Sequence, residues 1–549
     1  MTAVLSDPVS PEGVYASALA ERAERARRRR ESPLIRLWDG NWNFRGRLFG
    51  EISSEFRWVL NDTGTGTIVL PADHHLAKWA ASFRSRGTKN VHVTVDKDGA
   101  RWGGRVSKIS TRKVGPGEYQ TTIEFADFIE DLKHIRVWSN PVLPSIIQFP
   151  RVFMLAGPSI WALKLALFLN LMRNQNSLFT LPDNPLDFSL YVDNLNMENW
   201  PVSMKGQSFL GDSSPHTIVS SRFKNWHEMA APILNDAQLM VKYDIYLDGD
   251  PDPWPGYRPR NGQVIYDIVD KSGWWGSTGT GGNVLTGIAR TLLTLSSNGV
   301  DSSRTIVSDP SRPTIQNGMG TPVGYPWVVY RDGPFSGLES TEWSWEPATD
   351  VQVVVGGKSI PGANEIISVA VQLAGDVASA VLGGFAGNVG QMADTLLKPL
   401  YTDTILAWMS FKSFERAQDL GWSHYFEYMP GNSDQAWTLS SLMAIRRGWW
   451  ETRERIAHTF EVGDGAPYLI GENGQGHFFL GDRIGAVLPG LDDGTMAVEM
   501  VTELRLHHSR EGMGWEITVG DPRTQEDGVE RMVRKVSEAV GAVQELGVF

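Results

Sequence analysis

Three aspartates alternate along one short stretch of this chain, at Asp248, Asp250 and Asp252. Carboxylates at this spacing in a tight loop can bind Ca²⁺, which prefers oxygen ligands. However, the Gly and Glu framework of a calcium-binding loop does not follow, and the prolines between 251 and 255 also explain the segment as a rigid turn. These three residues are therefore the only candidates for a metal site, with the rigid turn as the alternative, and no cofactor is predicted.

Other motifs resemble catalytic signatures but lack an essential residue. His227 and Glu228 begin like the helix of a zinc protease, but Ala231 stands where the second His is needed. The run 353–359 resembles the end of a phosphate-binding loop, but Gln352 stands where its first Gly is required. No G-x-S-x-G motif occurs, and no carboxylate pair is singled out for glycan cleavage. The residues therefore predict no catalytic activity.

The composition excludes further classes of chemistry. The chain has 549 residues and no cysteine, which removes disulfides, thiolate metal ligands and cysteine nucleophiles. Its formal net charge of −12 makes it a poor phosphate binder, because nucleic-acid affinity depends mainly on Lys and Arg. Such a surface suits DNA that slides past without binding. The 21 tryptophans predict large apolar cores, subunit interfaces or sugar-stacking platforms.

Two matching β patterns at opposite ends of the chain are its most distinctive feature. They cover 98–127 and 493–521, and they begin with Asp-Gly at Asp98 and Asp493. In both, a β-rich run is followed by a Gly-containing hairpin, a strand with an aromatic residue and a closing Asp. A chain that builds the same small β unit twice, without a catalytic signature, is predicted to be architectural.

Periodicity and turn residues divide this length into several units. Helices are predicted over 11–31, from Ser159 onward, over 221–234 and over 524–546, and 404–455 is predicted to be helical. The predicted fold class is α+β and multidomain, with two related β-barrel domains and inserted helical or mixed domains. The predicted units are a basic N-terminal arm or helix (1–33), a first β-barrel domain (34–138), a mixed α/β domain (139–300), an interval with Gly/Pro-rich loops, an apolar helix (363–397) and Trp-rich helices (301–457), a second β-barrel domain (458–522) and a C-terminal helix (523–549).

Two apolar segments are each predicted to be a buried helix, with association with a membrane as the alternative. The first, 152–172, approaches membrane-spanning length but contains Pro158 and Lys164. The second, 363–397, is rich in Ala, Gly and Val, and Asp376 is its single internal charge before Asp394. Small residues let helices pack closely. The second segment is therefore predicted to lie between subunits or inside a tube, with contact to a host membrane as the alternative.

Long strings throughout the chain closely resemble the minor tail proteins of phages that infect actinobacteria. The resemblance extends from about residue 34 to the C-terminus and includes 34–40, 56–66, 89–104, 148–158, 267–274, 397–408 and 474–483. Within that group the chain resembles the tail-tip hub, a relative of the baseplate hub of contractile phages. The resemblance implies a structural protein of the virion tail tip, assembled in the host bacterial cytoplasm.

The resemblance also implies a set of partners. A hub of this family is a homotrimer below the distal tail protein ring; it closes the tail tube and helps to organise host attachment and DNA ejection. Expected neighbours are the C-terminus of the tape-measure protein and other minor tail or receptor-binding proteins, while genomic DNA passes through the lumen without specific binding. The alternatives are a tail-tip cell-wall hydrolase and a carbohydrate-binding adhesin that uses exposed residues such as Trp254 or Trp327.

Overall fold

The computed structural model describes residues 11–143, 147–148, 153–272, 328–331, 338–356, 408–430, 438–462, 467–487, 497–510 and 512–520. These residues form a mixed α+β structure that is mostly sheet with several helices, which confirms the predicted class. The predictions for 363–397 and 524–546 lie outside the described residues, and the domain boundaries stay predictions.

The helices are short, apart from one at the N-terminus and one that is largely buried. In chain order they are α1 (Pro11–Arg30), α2 (His75–Ala81), α3 (Ser159–Gln175), α4 (Ser189–Asp193), α5 (Trp226–Asp236), α6 (Phe414–Asp419) and α7 (Thr438–Glu451). Two 3₁₀ helices cover Phe128–His134 and Met197–Asn199. The predicted helices over 11–31 and from Ser159 onward are thereby confirmed.

Strands make up most of the remaining regular structure. They are β1 (Leu34–Asp39), β2 (Phe44–Arg47), β3 (Ser53–Val59), β4 (Thr65–Pro71), β5 (Val91–Lys97), β6 (Ala100–Gly115), β7 (Glu118–Asp127), β8 (Phe153–Pro158), β9 (Val202–Met204), β10 (His216–Ser221), β11 (Leu239–Ile245), β12 (Val264–Asp270), β13 (Val329–Arg331), β14 (Leu338–Glu346), β15 (Asp350–Gly356), β16 (Trp408–Lys412), β17 (Tyr425–Tyr428), β18 (Arg455–Val462), β19 (Arg483–Val487), β20 (Ala497–Ser509) and β21 (Met513–Gly520).

One sheet contains strands from both ends of the chain. Its order is β14-β18-β21-β20-β3-β4-β7-β6-β5-β1-β2, and β19 joins at β20 and carries β13. Neighbours along this path pair antiparallel. The step from β20 to β3 links residues more than 440 positions apart in the sequence. The two predicted β regions are therefore continuous in hydrogen bonding.

The two repeated patterns form equivalent hairpins. Asp98 and Gly99 adopt positive φ values of 45° and 79° in the tight turn that leads into β6, a backbone shape that suits Asp-Gly. β6 pairs with β7, and β20 pairs with β21. In each first strand the register shifts at a bulged residue, Ser107 or Thr502, that stands nine positions after the Asp that opens the pattern, and β6 shifts a second time between Lys113 and Gly115. The match in spacing therefore extends to a match in local structure.

A single apolar core is shared by both β regions. It contains Phe56, Ile68 and Trp102 from the first region and Phe460, Leu504 and Trp515 from the second. The alternating burial along β3 and β7 shows that one face of each strand points into this core. The two regions therefore pack as one body across the β3–β20 step.

A second core packs helices against small sheets in the mixed region. The middle of α3 is buried against β9, β10 and α5, with Ala162, Leu163 and Ala166 fully enclosed. Lys164 lies among them, and its ammonium forms an ion pair with Asp267 of β12. None of the described helices is long and apolar enough to cross a membrane. The buried helix predicted for this segment is confirmed from Ser159 onward, whereas 153–158 forms the strand β8, so the helix prediction is wrong for those residues.

Two further predictions of secondary structure need correction. The helix predicted over 221–234 begins only at Trp226, because Asn225 and Glu228 form a reciprocal capping box there and Ser221 ends β10. The interval 404–455 is not uniformly helical, since β16 and β17 flank β15 in a small sheet. Periodicity cannot distinguish a strand from a helix in short aromatic runs, and β16 and β17 became strands because they pair with β15.

Candidate functional site

The three candidate aspartates are not arranged as a metal-holding group in the described structure. Asp250 accepts hydrogen bonds from Arg101 Nη1 at 2.5 Å and from the Leu247 amide at 2.9 Å. Asp252 lies 4.0 Å from Arg258 across the same loop. No group of three or more His, Asp and Glu side chains is arranged to hold a metal among the residues that the structure describes. The Asp250 carboxylate instead anchors the loop to β6, in accord with the rigid-turn alternative.

The partial catalytic motifs have local structural roles. The Glu228 carboxylate accepts from the Asn225 amide, 3.3 Å away, as part of the helix cap. His227 Nε2 lies 2.7 Å from the Asn61 carbonyl oxygen and so connects α5 to the turn after β3. Trp254 is stacked on Tyr257, with 3.9 Å between ring centroids. Residues 357–359 of the phosphate-loop-like run and Trp327 lie outside the described residues.

The junction between the two β regions joins segments from opposite ends of the chain. β3 and β20 pair antiparallel over seven residue pairs, from Ser53 opposite Ser509 to Val59 opposite Glu503. The Leu60 amide extends the pairing by donating to the Thr502 carbonyl at 2.9 Å. This junction was not visible in the sequence, because no local pattern specifies which distant edges meet.

Apolar side chains fill the inner face of this junction. Phe56 lies opposite Leu506, and Trp58 lies opposite Leu504, and all four are buried. The Trp58 ring lies 5.7 Å from the ring of Trp515 and 5.8 Å from that of Phe479. Burial of large aromatic surface is the main stabilising contribution expected of such a joint.

Opposite charges line the outer face of the same junction. Arg57 donates to both carboxylate oxygens of Glu503, with Nη2 at 2.5 Å from Oε2. Arg505 lies 3.7 Å from Glu55 and 3.3 Å from Glu516. Bidentate pairing of this kind selects one register of the two strands. The joint therefore combines an apolar inner face with a charge-matched outer face.

The end of α1 is tied to the first repeated hairpin. Arg28 Nη2 donates to the Gln475 carbonyl at 2.8 Å and to Asp98 Oδ1 at 3.2 Å. Lys97 Nζ donates to the Arg28 carbonyl at 2.6 Å. The earlier turns of α1 are exposed. The basic arm thus docks through its last turn on its own chain, at the turn that opens the repeat.

Two histidines are buried in the core without a charged partner at their rings. Burial lowers the pKa of His458 to about 4, and neither of its ring nitrogens has a hydrogen-bond partner among the described residues. Burial, followed by the nearby charge of Arg105, lowers the pKa of His92 to about 3; its ring stacks on Trp42 at 4.6 Å. Both imidazoles are therefore neutral in the folded protein at neutral pH.

Acidification is expected to destabilise the protein through these histidines. His458 has its ordinary pKa of 6.5 in the unfolded chain, so the unfolded chain takes up the proton at a higher pH than the folded protein does. The contribution of His458 to the free energy of unfolding therefore falls as the pH drops below 6.5 and is lost by about pH 4. The loss reaches about 3 kcal/mol for one such residue. Denaturation measures the free energy of unfolding at pH 7 and at pH 4.5. The difference between these two values should be smaller for His458→Phe than for the parent protein. The exposed His134→Gln variant serves as control, and an equal pH dependence in all three proteins would contradict the prediction.

Comparison with known proteins places these features in a family. The model of Siphovirus ReqiPepy6 Gp37-like proteins matches residues 34–521. Minor tail protein Gp28 of Mycobacterium phage L5 is 34% identical over an alignment of length 581, gaps included, that covers 96% of this chain and 98% of that protein. Minor tail protein Gp28 of Mycobacterium phage D29 is 33% identical over an alignment of length 594, gaps included, that covers 99% of this chain and 100% of that protein.

Solved structures of other tail proteins are more distantly similar. A tail protein from Neisseria meningitidis MC58 matches with a TM-score of 0.42 and 11% identity, over 91% of this chain and 98% of that one. A 43 kDa tail protein of prophage MuSo2 from Shewanella oneidensis matches with a TM-score of 0.42 and 10% identity, over 90% and 100%. Scores at this level do not establish a common fold.

The matches across nearly the full length of the chain define it as a structural protein of the phage virion tail. Both phage relatives are named as minor tail proteins. The chain belongs to the family of Siphovirus ReqiPepy6 Gp37-like proteins. The resemblance to minor tail proteins seen in the sequence is thereby confirmed.

Proposed function

We propose that this protein forms a homotrimeric hub ring at the tail tip, below the distal tail protein, where it closes the tail tube and helps to organise host attachment and DNA ejection. The observation that carries the proposal is the duplicated hairpin, with its bulge at equivalent positions Ser107 and Thr502. Each chain then presents two similar β units. Three chains can then offer six similar contacts to a hexameric tube. This would resolve the mismatch between the three-fold symmetry of the ring and the six-fold symmetry of the tube.

The charge of the chain is consistent with a conduit for DNA. Its formal net charge is −12, and phosphate binding needs clustered Lys and Arg. Repulsion between DNA and an acidic lumen would let the genome pass without specific binding. The C-terminus of the tape-measure protein and other minor tail or receptor-binding proteins complete the proposed neighbourhood. Segment 363–397 is proposed to face the lumen or a subunit seam, with contact to the host membrane as its alternative role.

Native mass spectrometry of the full-length protein tests the number of copies. We expect a species of three chains, since three copies of a two-unit chain match six positions. A cryo-EM map of the assembled tail tip then tests the position of this ring below the distal tail protein. A monomer or a hexamer of this chain would contradict the homotrimer. Release of fragments from host peptidoglycan by the purified protein would instead favour the hydrolase alternative.

A further inference from the structure

The repeat extends beyond the two hairpins to the strands beside them. β4 pairs with β7 as β18 pairs with β21, and β3 pairs with β4 as β14 pairs with β18. In both regions these four strands lie in the same order, which makes β6 equivalent to β20 and β3 equivalent to β14. β3 and β14 can be aligned residue by residue through the strands that they pair with, β4 and β7 for β3, and β18 and β21 for β14.

The sequences of β3 and β14 agree with this equivalence. Phe56 lies opposite Gly66, which lies opposite Phe125. Trp343 lies opposite His458, which lies opposite Val519. Phe125 and Val519 are each two positions before the end of their repeated pattern. Phe56 therefore corresponds to Trp343, and this alignment sets SSEFRW at 53–58 against STEWSW at 340–345, with Ser, Glu and Trp identical at three positions.

The two equivalent strands differ in what covers them. Within the chain, β3 receives the second half of β20 on its outer edge. β14 is the last strand in the order of the described sheet. Trp58 of β3 is 6% exposed, whereas its counterpart Trp345 is 52% exposed, and Trp343 is 37% exposed.

The two equivalent hairpins differ in the same way. β20 divides one of its edges between β19, over 497–500, and β3, over 503–509. β6 gives its corresponding edge to β5 only over 100–105, and residues 108–114 pair with β7 alone among the described strands. These outer residues of β6 are largely exposed. Among the described strands there is thus one complete joint, and residues 108–114 of β6 and β14 are the counterparts of its two halves.

We propose that residues 108–114 of β6 in one copy pair antiparallel with β14 of a second copy, in the register that β20 and β3 use within the chain. The inference rests on the proposed ring, because it names the surface through which the copies of that ring would join. The occupant is a second copy of this chain, since the internal β20–β3 joint supplies a template with the same strands and the same register.

The side chains brought together by this register are complementary. The expected pairs are Lys108 with Glu346, Ile109 with Trp345, Ser110 with Ser344, Thr111 with Trp343, Arg112 with Glu342, Lys113 with Thr341 and Val114 with Ser340. The charged pairs Lys108–Glu346 and Arg112–Glu342 fall on one face, as charged residues do in the internal joint, while the two tryptophans fall on the other face together with Lys113. Pairing would therefore cover Trp343 and Trp345.

Charge also discourages the wrong pairings. Residues 108–114 contain Lys108, Arg112 and Lys113 and no acidic residue, while β14 contains Glu339, Glu342 and Glu346 and no basic one. Two copies of the same edge would repel each other, and the two different edges attract. Glu346 also lies 3.6 Å from Arg455 of its own chain, which partly balances its charge. Glu342 is therefore the better residue for testing attraction between the two edges. The contact is head-to-tail, and such contacts close into rings when the rotation permits.

Engineered cysteines test the register directly, because the chain has no cysteine of its own. One preparation carries Arg112→Cys and a second, distinguishable in mass, carries Glu342→Cys. Cα atoms of residues directly opposite in an antiparallel pair lie about 4.5–5.5 Å apart, within reach of a disulfide. After mixing and mild oxidation we expect a disulfide between one chain of each kind. The matched control, Lys108→Cys with Glu342→Cys, is displaced by four residues, or about 13 Å, and should not cross-link.

The outcomes separate this inference from the proposed function. Trimers that form without the Arg112–Glu342 cross-link would overturn the strand pairing and leave the trimer intact. Equal cross-linking of the displaced control would also overturn the register. A chain that is monomeric by native mass spectrometry and does not cross-link would overturn both proposals.

Charge reversal provides an independent check on the same edges. Arg112→Glu alone and Glu342→Arg alone should each weaken association several-fold, because each places like charges opposite each other. The two substitutions in one chain restore opposite charges across the contact and should recover association. Failure of the double variant to recover, while each single variant is weakened and remains folded, would contradict the pairing of these two residues.

Discussion

Replacement of Trp58 by alanine is expected to lower the free energy of unfolding by about 3–5 kcal/mol. The indole is buried in the β3–β20 joint, and its ring lies 5.7 Å from that of Trp515 and 5.8 Å from that of Phe479. Its removal leaves a cavity in the core that both β regions share, and surrounding strands can close only part of it. Urea denaturation measures the loss, and hydrogen exchange should show weaker protection in both β3 and β20.

A matched control for this substitution is Trp422→Ala, because Trp422 is 93% exposed. Exposed substitutions away from special features usually change stability by about 0.5 kcal/mol or less. Two outcomes would show that the joint is not a shared core. One is a loss in the free energy of unfolding below about 1 kcal/mol for Trp58→Ala. The other is hydrogen exchange protection that weakens in β3 but stays unchanged in β20.

Replacement of Arg446 by methionine is expected to cost about 3–5 kcal/mol. Arg446 of α7 is buried and lies 3.6 Å from the carboxylate of Asp236 at the end of α5, and its Nη2 donates to the Asp236 carbonyl at 2.9 Å. Burial raises the pKa of Asp236, and the charge of Arg446 opposes that rise. Without the guanidinium, the carboxyl must either stay charged without this partner or take up a proton.

A second substitution distinguishes lost charge pairing from lost packing. If the buried charge causes the damage, Asp236→Asn in the Arg446→Met background should recover at least half of the loss, because an amide carries no charge. Thermal unfolding of the parent protein, the two single variants and the double variant gives the coupling energy. Additive losses would indicate that Arg446 acts through packing of its alkyl chain instead.

Local patterns predicted several individual turns and helices of this fold. The Asp-Gly pair at 98–99 predicts a tight turn, and the structure confirms it with positive φ at both residues. Pro158 and Ser159 predict the start of α3, and the structure confirms it with a helix that begins at Ser159. These features depend on neighbours in the sequence, where turn and helix preferences act directly.

Non-local choices were not predictable in the same way. The aromatic stretch 408–412 became a strand because β15 offered it an edge. β14 joined the second β region although its residues lie within an interval predicted to contain loops. Strand propensity depends on the neighbouring strand and on burial more than on the residue itself.

The sequence by itself determined the architectural character of this protein, its duplicated hairpin and its membership of a tail-protein family, because these depend on residue types and spacing along the chain. Only the tertiary structure decided that β3 meets β20 and that their counterparts β14 and β6 present complementary edges. The physical reason is that backbone hydrogen bonds between strands carry no sequence code of their own. The partner of an edge is selected by cross-strand packing and charge, which exist only after distant segments have come together.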